Sequence, residues 1–173
     1  ERSRGLGDVY KRQVGKQGGY YSDLIPIGSV AGKIARLSET DVLLVPPDKD
    51  LGLQKILVPF DGSGHARAAA ERAIDLAARY GAALCLVTVY ELPLEGFAQN
   101  PALDKIFYDK AAESQKPILA TAEAKGLRQL QVVVRQGVPA YKVIIDMVRE
   151  EDIGLVVMSS TGRGDISRLL LGK

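Results

Sequence analysis

The sequence predicts an α/β fold: a doubly wound, mostly parallel five-stranded sheet with helices on both faces. Two observations predict it. From Gln54 onward, short and nearly continuous apolar runs alternate with stretches of helical periodicity. Strands that are apolar on both sides must be covered on both sides, and the crossover helices supply the cover. Turn signals also punctuate the alternation, at Asp61-Gly62-Ser63-Gly64, Gly81 and Gly126.

The elements follow in order. Ile56-Leu57-Val58-Pro59-Phe60 is a buried strand stopped by the Asp61–Gly64 turn. A helix over 65–80 follows, because Ala66, Ala70, Ala73, Ile74 and Ala77 share one face. Ser63 is placed to cap its start, Gly81 to end it, and Arg79 suits the negative end of the helix dipole. Ala83–Tyr90 is the second strand. Leu92–Asp104 is punctuated by Pro and Gly and reads as a loop. A helix over roughly 103–125 follows, with Pro117 expected to kink or break it and Gly126 to close it. Leu130–Arg135 is a third strand. Pro139 opens a helix with Ala140, Val143, Ile144, Met147 and Val148 on its apolar face. Ile153–Met158 is a fourth strand, Ser159–Gly164 a polar loop, and Ile166–Leu171 begins another helix.

In such sheets, ligands bind outside the carboxyl ends of the strands. Those ends are Asp61, Tyr90, Arg135 and Ser159.

Composition narrows the classes. The 173 residues carry 23 Lys plus Arg and 21 Asp plus Glu, 46% apolar and 25% charged residues. These are ordinary values for a globular domain and give no nucleic-acid surface. Four of the basic and two of the acidic residues fall in 1–13, leaving 19 of each beyond it. Asp8–Gln13, DVYKRQ, resembles the translation of a transposon end used in sequencing libraries. Residues 1–13 are therefore read as an adaptor artefact or a disordered arm and set aside. The single cysteine, Cys85, excludes an intramolecular disulfide and points to a reducing compartment. No apolar run approaches the ~20 residues of a membrane span.

The segment before Gln54 is a loop (Gly15–Asp23), a helical face (Ile27, Val30, Ala31, Ile34, Ala35), a strand (Asp41–Val45) and a charged linker (Pro46–Asp50). Loop, helix and strand are also what residues 159–173 begin to make. Gly18 and Gly28 map onto Gly162 and Gly172 at one offset of 144 residues, as Val14 does onto Met158. That offset is the size of a whole domain, so the repeat is one of domains.

With these motifs the chain resembles the universal stress protein family, as parts of two tandem copies. Gly15, Gly18, nine intervening residues, Gly28 and Ser29 fill every position of the family's nucleotide signature. The second copy opens with ILVPFDGS and closes with VVMSSTGRGDISRLLLGK. The resemblance divides the chain into 14–46, the end of a first domain; 47–53, a linker; and 54–173, a second domain cut short. Strand 41–45 is expected to fill or flank the fifth place in the sheet, since a four-stranded remnant leaves an exposed edge.

Glycine lets phosphate oxygens approach backbone N–H groups, and a helix N-terminus adds favourable charge. Gly15, Gly18, Gly28 and Ser29 fit that chemistry, and Gly162, Arg163, Gly164 and Gly172 fit it less completely. The same glycines would also serve to make a tight loop. In the second copy Ser159 stands where the signature has its first glycine, and Lys173 where it has Ser or Thr. Asp61 is a turn former by position; the resemblance implies that it contacts adenine, with the Val89 backbone sharing that role. Pro59, Phe60 and Met158 then line the base pocket.

Gly28–Lys33 is one residue short of a P-loop. The sole histidine, His65, is expected at the surface, and Cys85 as a buried thiol. No metal cluster is visible. The resemblance implies an adenine nucleotide alpha hydrolase-like sheet. It also implies an ATP-binding, non-enzymatic, cytoplasmic stress-response protein that forms a homodimer or an intramolecular pseudo-dimer, with neither nucleic acid nor membrane as partner. ATP could carry Mg2+ with it, and slow hydrolysis stays open. The alternatives are a nucleotide-free interaction module and, more remotely, a nucleotide-dependent ligase or transferase.

Overall fold

The computed structural model describes residues 29–45, 52–92 and 102–160, with the backbone alone at 29–31. Expectations for Gly15–Asp23, the linker and the helix from Ile166 lie outside the described residues. The elements are α1 (Ser29–Leu37), β1 (Lys55–Pro59), α2 (Gly64–Tyr80), β2 (Ala83–Tyr90), α3 (Ala102–Ala124), β3 (Leu130–Gln136), α4 (Ala140–Glu150) and β4 (Leu155–Val156).

All strand pairs are parallel, in the order β3-β2-β1-β4. Period-2 alternation divides the interior into two cores. Ile56, Val58, Phe60, Leu84 and Leu86 face α2 and α3, meeting Ala70, Ile74, Ala77, Ile118 and Ala122. Leu57, Cys85 and Val87 face the other way and meet Ile144 and Met147 of α4. Burying residues of this size on both faces is the main source of stability, at ~1.5–3 kcal/mol for each large apolar side chain.

The placement of the helices follows from crossover handedness. The steps β1 to β2 and β2 to β3 move in one direction along the sheet, so α2 and α3 fall on one face. The step β3 to β4 moves back across β2 and β1, so a crossover of the same hand lies on the opposite face, where α4 is found.

Local signals set the helix ends. The Ser63 hydroxyl accepts a hydrogen bond from the Ala66 N–H at 3.1 Å, and Gly81, with φ 67°, closes α2. Pro117 lies inside α3, which continues through it. It costs the helix one backbone donor, and the packing of Ala111, Gln115, Ile118 and Ala122 against the sheet holds the helix together around it. Pro139 follows a cis peptide bond and occupies the N-cap of α4.

Two expectations are corrected. Residues 41–45 form no strand and take no place in the sheet, which has four strands among the described residues. They run exposed, with Leu43 58% and Val45 51% accessible, and Asp41 meets Arg72 of α2 at 3.1 Å. Of the two sheet edges, β3 and β4, the β4 edge pairs regularly over only two residues and offers little ladder to a further strand. The fourth strand is itself shorter than 153–158. Its ladder with β1 runs from the Gly154 N–H, on the Lys55 carbonyl, to the Val157 N–H, on the Leu57 carbonyl, and stops there.

Candidate ligand-binding site

The ladder stops at Pro59. In a parallel sheet successive residues turn their N–H and C=O groups to alternate neighbours. The Phe60 N–H donates to Val87 of β2 at 2.8 Å, and the Leu57 carbonyl accepts from Val157 of β4 at 2.9 Å. Pro59, two residues beyond Leu57, therefore presents its nitrogen to β4, and that nitrogen carries no hydrogen. The two strands cannot remain paired past this point. Past their ladder, the carboxyl ends of β1 and β4 flank the crevice expected of an open α/β sheet where the direction of its chain connections reverses. This is the topological switch point of the sheet, the expected ligand position in an open α/β fold.

The alternation also determines what the crevice offers. Val87 and Val89 share a face, as do Leu57 and Pro59, and Val156 continues to Met158. Alternation puts Val89 of β2 and Pro59 of β1 on the α4 side, and Met158 follows two residues past the end of β4; each is partly exposed, and together they are the apolar shelf at this end of the sheet. Phe60 differs. It is 3% exposed and its ring belongs to the α2–α3 core, so only its backbone reaches the rim.

Asp61 and Ser159 flank the shelf and are half-buried. Asp61 Oδ1 accepts the Ser63 N–H at 2.9 Å, an Asx turn that fixes the carboxylate at the end of β1. Gly62 sits within that turn at φ +80°, in the left-handed region that favours glycine. The turn-forming reading of Asp61 is the one the hydrogen bond bears out, and the turn holds the carboxylate at the end of β1.

Pro59, Asp61, Val89, Met158 and Ser159 thus all lie at the carboxyl ends of β1, β2 and β4. Gly15, Gly18, Gly28, Gly162, Arg163, Gly164 and Gly172 lie outside the described residues, and Ser29 is described only as the first residue of α1.

Sequence reasoning missed a polar clasp at the same sheet edge. The Tyr90 hydroxyl donates to Asp104 Oδ1 at 2.6 Å, and Tyr108 meets the Tyr90 ring edge-on at 6.4 Å between centroids. The clasp ties the first turn of α3 to the end of β2. Donation to the Asp104 carboxylate raises the Tyr90 pKa to about 12. No spacing signal could have found the pair, because its members lie on different elements, β2 and α3, whose relative placement the sequence does not fix. Pro59, by contrast, was legible as a proline at the end of a central strand.

Away from the crevice, Lys55 Nζ donates to Glu151 Oε2 at 2.6 Å at the amino end of β1, and this hydrogen bond lowers the Glu151 pKa. Burial raises the pKa of the Cys85 thiol. His65 is exposed at the start of α2. Among the described residues no group of three or more His, Cys, Asp or Glu side chains could hold a metal ion. No helix there is long and apolar enough to cross a membrane.

The architecture is therefore that of a doubly wound α/β domain whose topological switch point lies between β1 and β4. The chain belongs to the universal stress protein family, whose family model matches residues 52–173. A universal stress protein of Methanocaldococcus jannaschii is 29% identical over 125 residues, covering 69% of this chain and 71% of the relative. A crystal structure of a universal stress family protein from Burkholderia pseudomallei shares the fold, with a TM-score of 0.57 and 24% identity over 68% of this chain and 88% of that one. A universal stress protein crystallised in complex with cAMP matches with a TM-score of 0.53 and 25% identity, covering 69% of this chain and 85% of that one.

Proposed function

We propose that this protein binds an adenine nucleotide, ATP in the first instance, in the β1–β4 crevice and acts as a regulatory stress-response protein. The observation that carries the reading is the opening of the ladder at Pro59 beside an apolar shelf and a fixed carboxylate. A purine base has two flat apolar faces and a polar edge. The shelf of Val89, Pro59 and Met158 suits a face, and Asp61 can accept the exocyclic amino group of adenine. The solved relative with cAMP bound holds a ligand of this class. Phosphates, with any Mg2+ they carry, are assigned to the glycine signature.

The role is binding, in the cytoplasm, by a homodimer or intramolecular pseudo-dimer, and no residue is assigned to catalysis. Calorimetry with ATP and the Asp61→Ala variant tests the base contact. Loss of a hydrogen bond to a charged group costs ~1.5–3 kcal/mol, so affinity should fall about 10- to 100-fold. The variant should keep its circular dichroism spectrum. Unchanged affinity would remove Asp61 from the site.

One observation favours a second reading. Ser159 occupies the first glycine position of the signature in the copy that retains Asp61. A side chain there crowds the closest phosphate approach and favours a nucleotide-free interaction module.

A further inference from the structure

Beneath the carboxyl end of β2, on the face covered by α3, lie two buried polar side chains. Thr88 is 6% exposed and Gln115 is 1% exposed. Neither Thr88 Oγ1 nor Gln115 Oε1 has a hydrogen-bond partner among the described residues. Buried polar atoms are satisfied in the great majority of folded proteins, so two at one level of one layer require an explanation.

Register brings them to that level. Thr88 follows Leu84 and Leu86 on the face packed by α3. Helix α3 runs against the strand direction: Asp104, in its first turn, meets Tyr90 at the carboxyl end, and Ile118 and Ala122 share a core with Leu84 and Leu86 further down. Gln115, three residues before Ile118, therefore lies nearer the carboxyl end, at the height of Thr88. Its amide confirms the height, since Gln115 Nε2 donates to the Val133 carbonyl at 3.0 Å and Val133 is paired with Val87.

That bond also fixes the orientation of the amide. Reversing it would turn Oε1 onto a carbonyl oxygen, acceptor against acceptor. Oε1 thus needs a donor. The Thr88 hydroxyl has a single hydrogen to give and does not reach it.

We propose that Thr88 Oγ1 and Gln115 Oε1 hold one structural water between β2 and α3. The water donates one hydrogen to Gln115 Oε1 and bridges to Thr88 Oγ1 with its other hydrogen or a lone pair. Two polar walls distinguish this place from the dry apolar packing around Ile118. The water joins helix to strand one residue before Val89, and it stands independently of whether a nucleotide is bound.

A crystal structure of the full chain at a resolution that shows ordered solvent tests this. The expected result is a peak about 2.7–3.2 Å from both atoms. The peak should be lost in Thr88→Val and kept in Thr88→Ser, which retains the hydroxyl and guards against a failure of the valine variant to fold. A direct Oγ1–Oε1 hydrogen bond, or no peak between the two atoms in the parent protein, would overturn the proposal.

Discussion

Tyr90 shows how much a single residue can do at the edge of this sheet. Its backbone carbonyl accepts the Gly137 N–H at 3.1 Å, holding the end of β3, while its hydroxyl holds α3 through Asp104. The neutral phenol is the form that donates, so the clasp is complete below the ordinary tyrosine pKa of 10.0 and is lost as pH rises through about 12. Ultraviolet titration at alkaline pH should show one tyrosine ionising near that value, and Tyr90→Phe should remove this late component. A titration in which every tyrosine ionises together near 10 would contradict the clasp. Asp61 could be placed from sequence because its turn is local; Tyr90–Asp104 could not, because its geometry depends on where a distant helix begins.

At the scale of elements, local and non-local information separate cleanly. The extents of α2 and β2 follow from nearby residues: an apolar run or stripe, a Ser cap and a Gly stop. The length of β4 does not, because it is set by Pro59 on a neighbouring strand. Segment 41–45 has strand-like composition, but composition cannot supply a partner ladder. Another non-local constraint lies at the amino end of β4. A Cβ built on Gly154 would fall 2.2 Å from the Gly52 carbonyl oxygen and 2.6 Å from its carbon, both backbone atoms. Gly154→Ala must push the entry of β4 away from the entry of β1, and overpacking of this kind costs ~1–3 kcal/mol. Urea denaturation should show the loss, and an unchanged midpoint would mean that the approach is not tight.

Over the whole molecule, the alternation of segments predicted the class, and handedness then assigned each helix to its face. Strand order, and with it the location of the switch point, emerged only from the structure. The two ends of the sheet differ in chemistry. The carboxyl end carries the shelf, Asp61 and the tyrosine clasp. The amino end carries the Lys55–Glu151 pair, which joins β1 to the end of α4. Because Lys55 lowers the Glu151 pKa below its ordinary 4.5, the pair stabilises the fold above that value. Its contribution disappears as pH falls through the lower folded-state value. Lys55→Met should therefore flatten the acid limb of a stability–pH profile. A limb as steep as that of the parent protein would show that other carboxylates dominate it.

The central claim is that the β1–β4 crevice holds an adenine nucleotide. Its most direct test is mass spectrometry of the small molecules released when freshly purified protein is denatured. The account predicts an adenine nucleotide near one equivalent per chain, reduced in Asp61→Ala. No released nucleotide, together with no thermal shift on added ATP or cAMP, would contradict it.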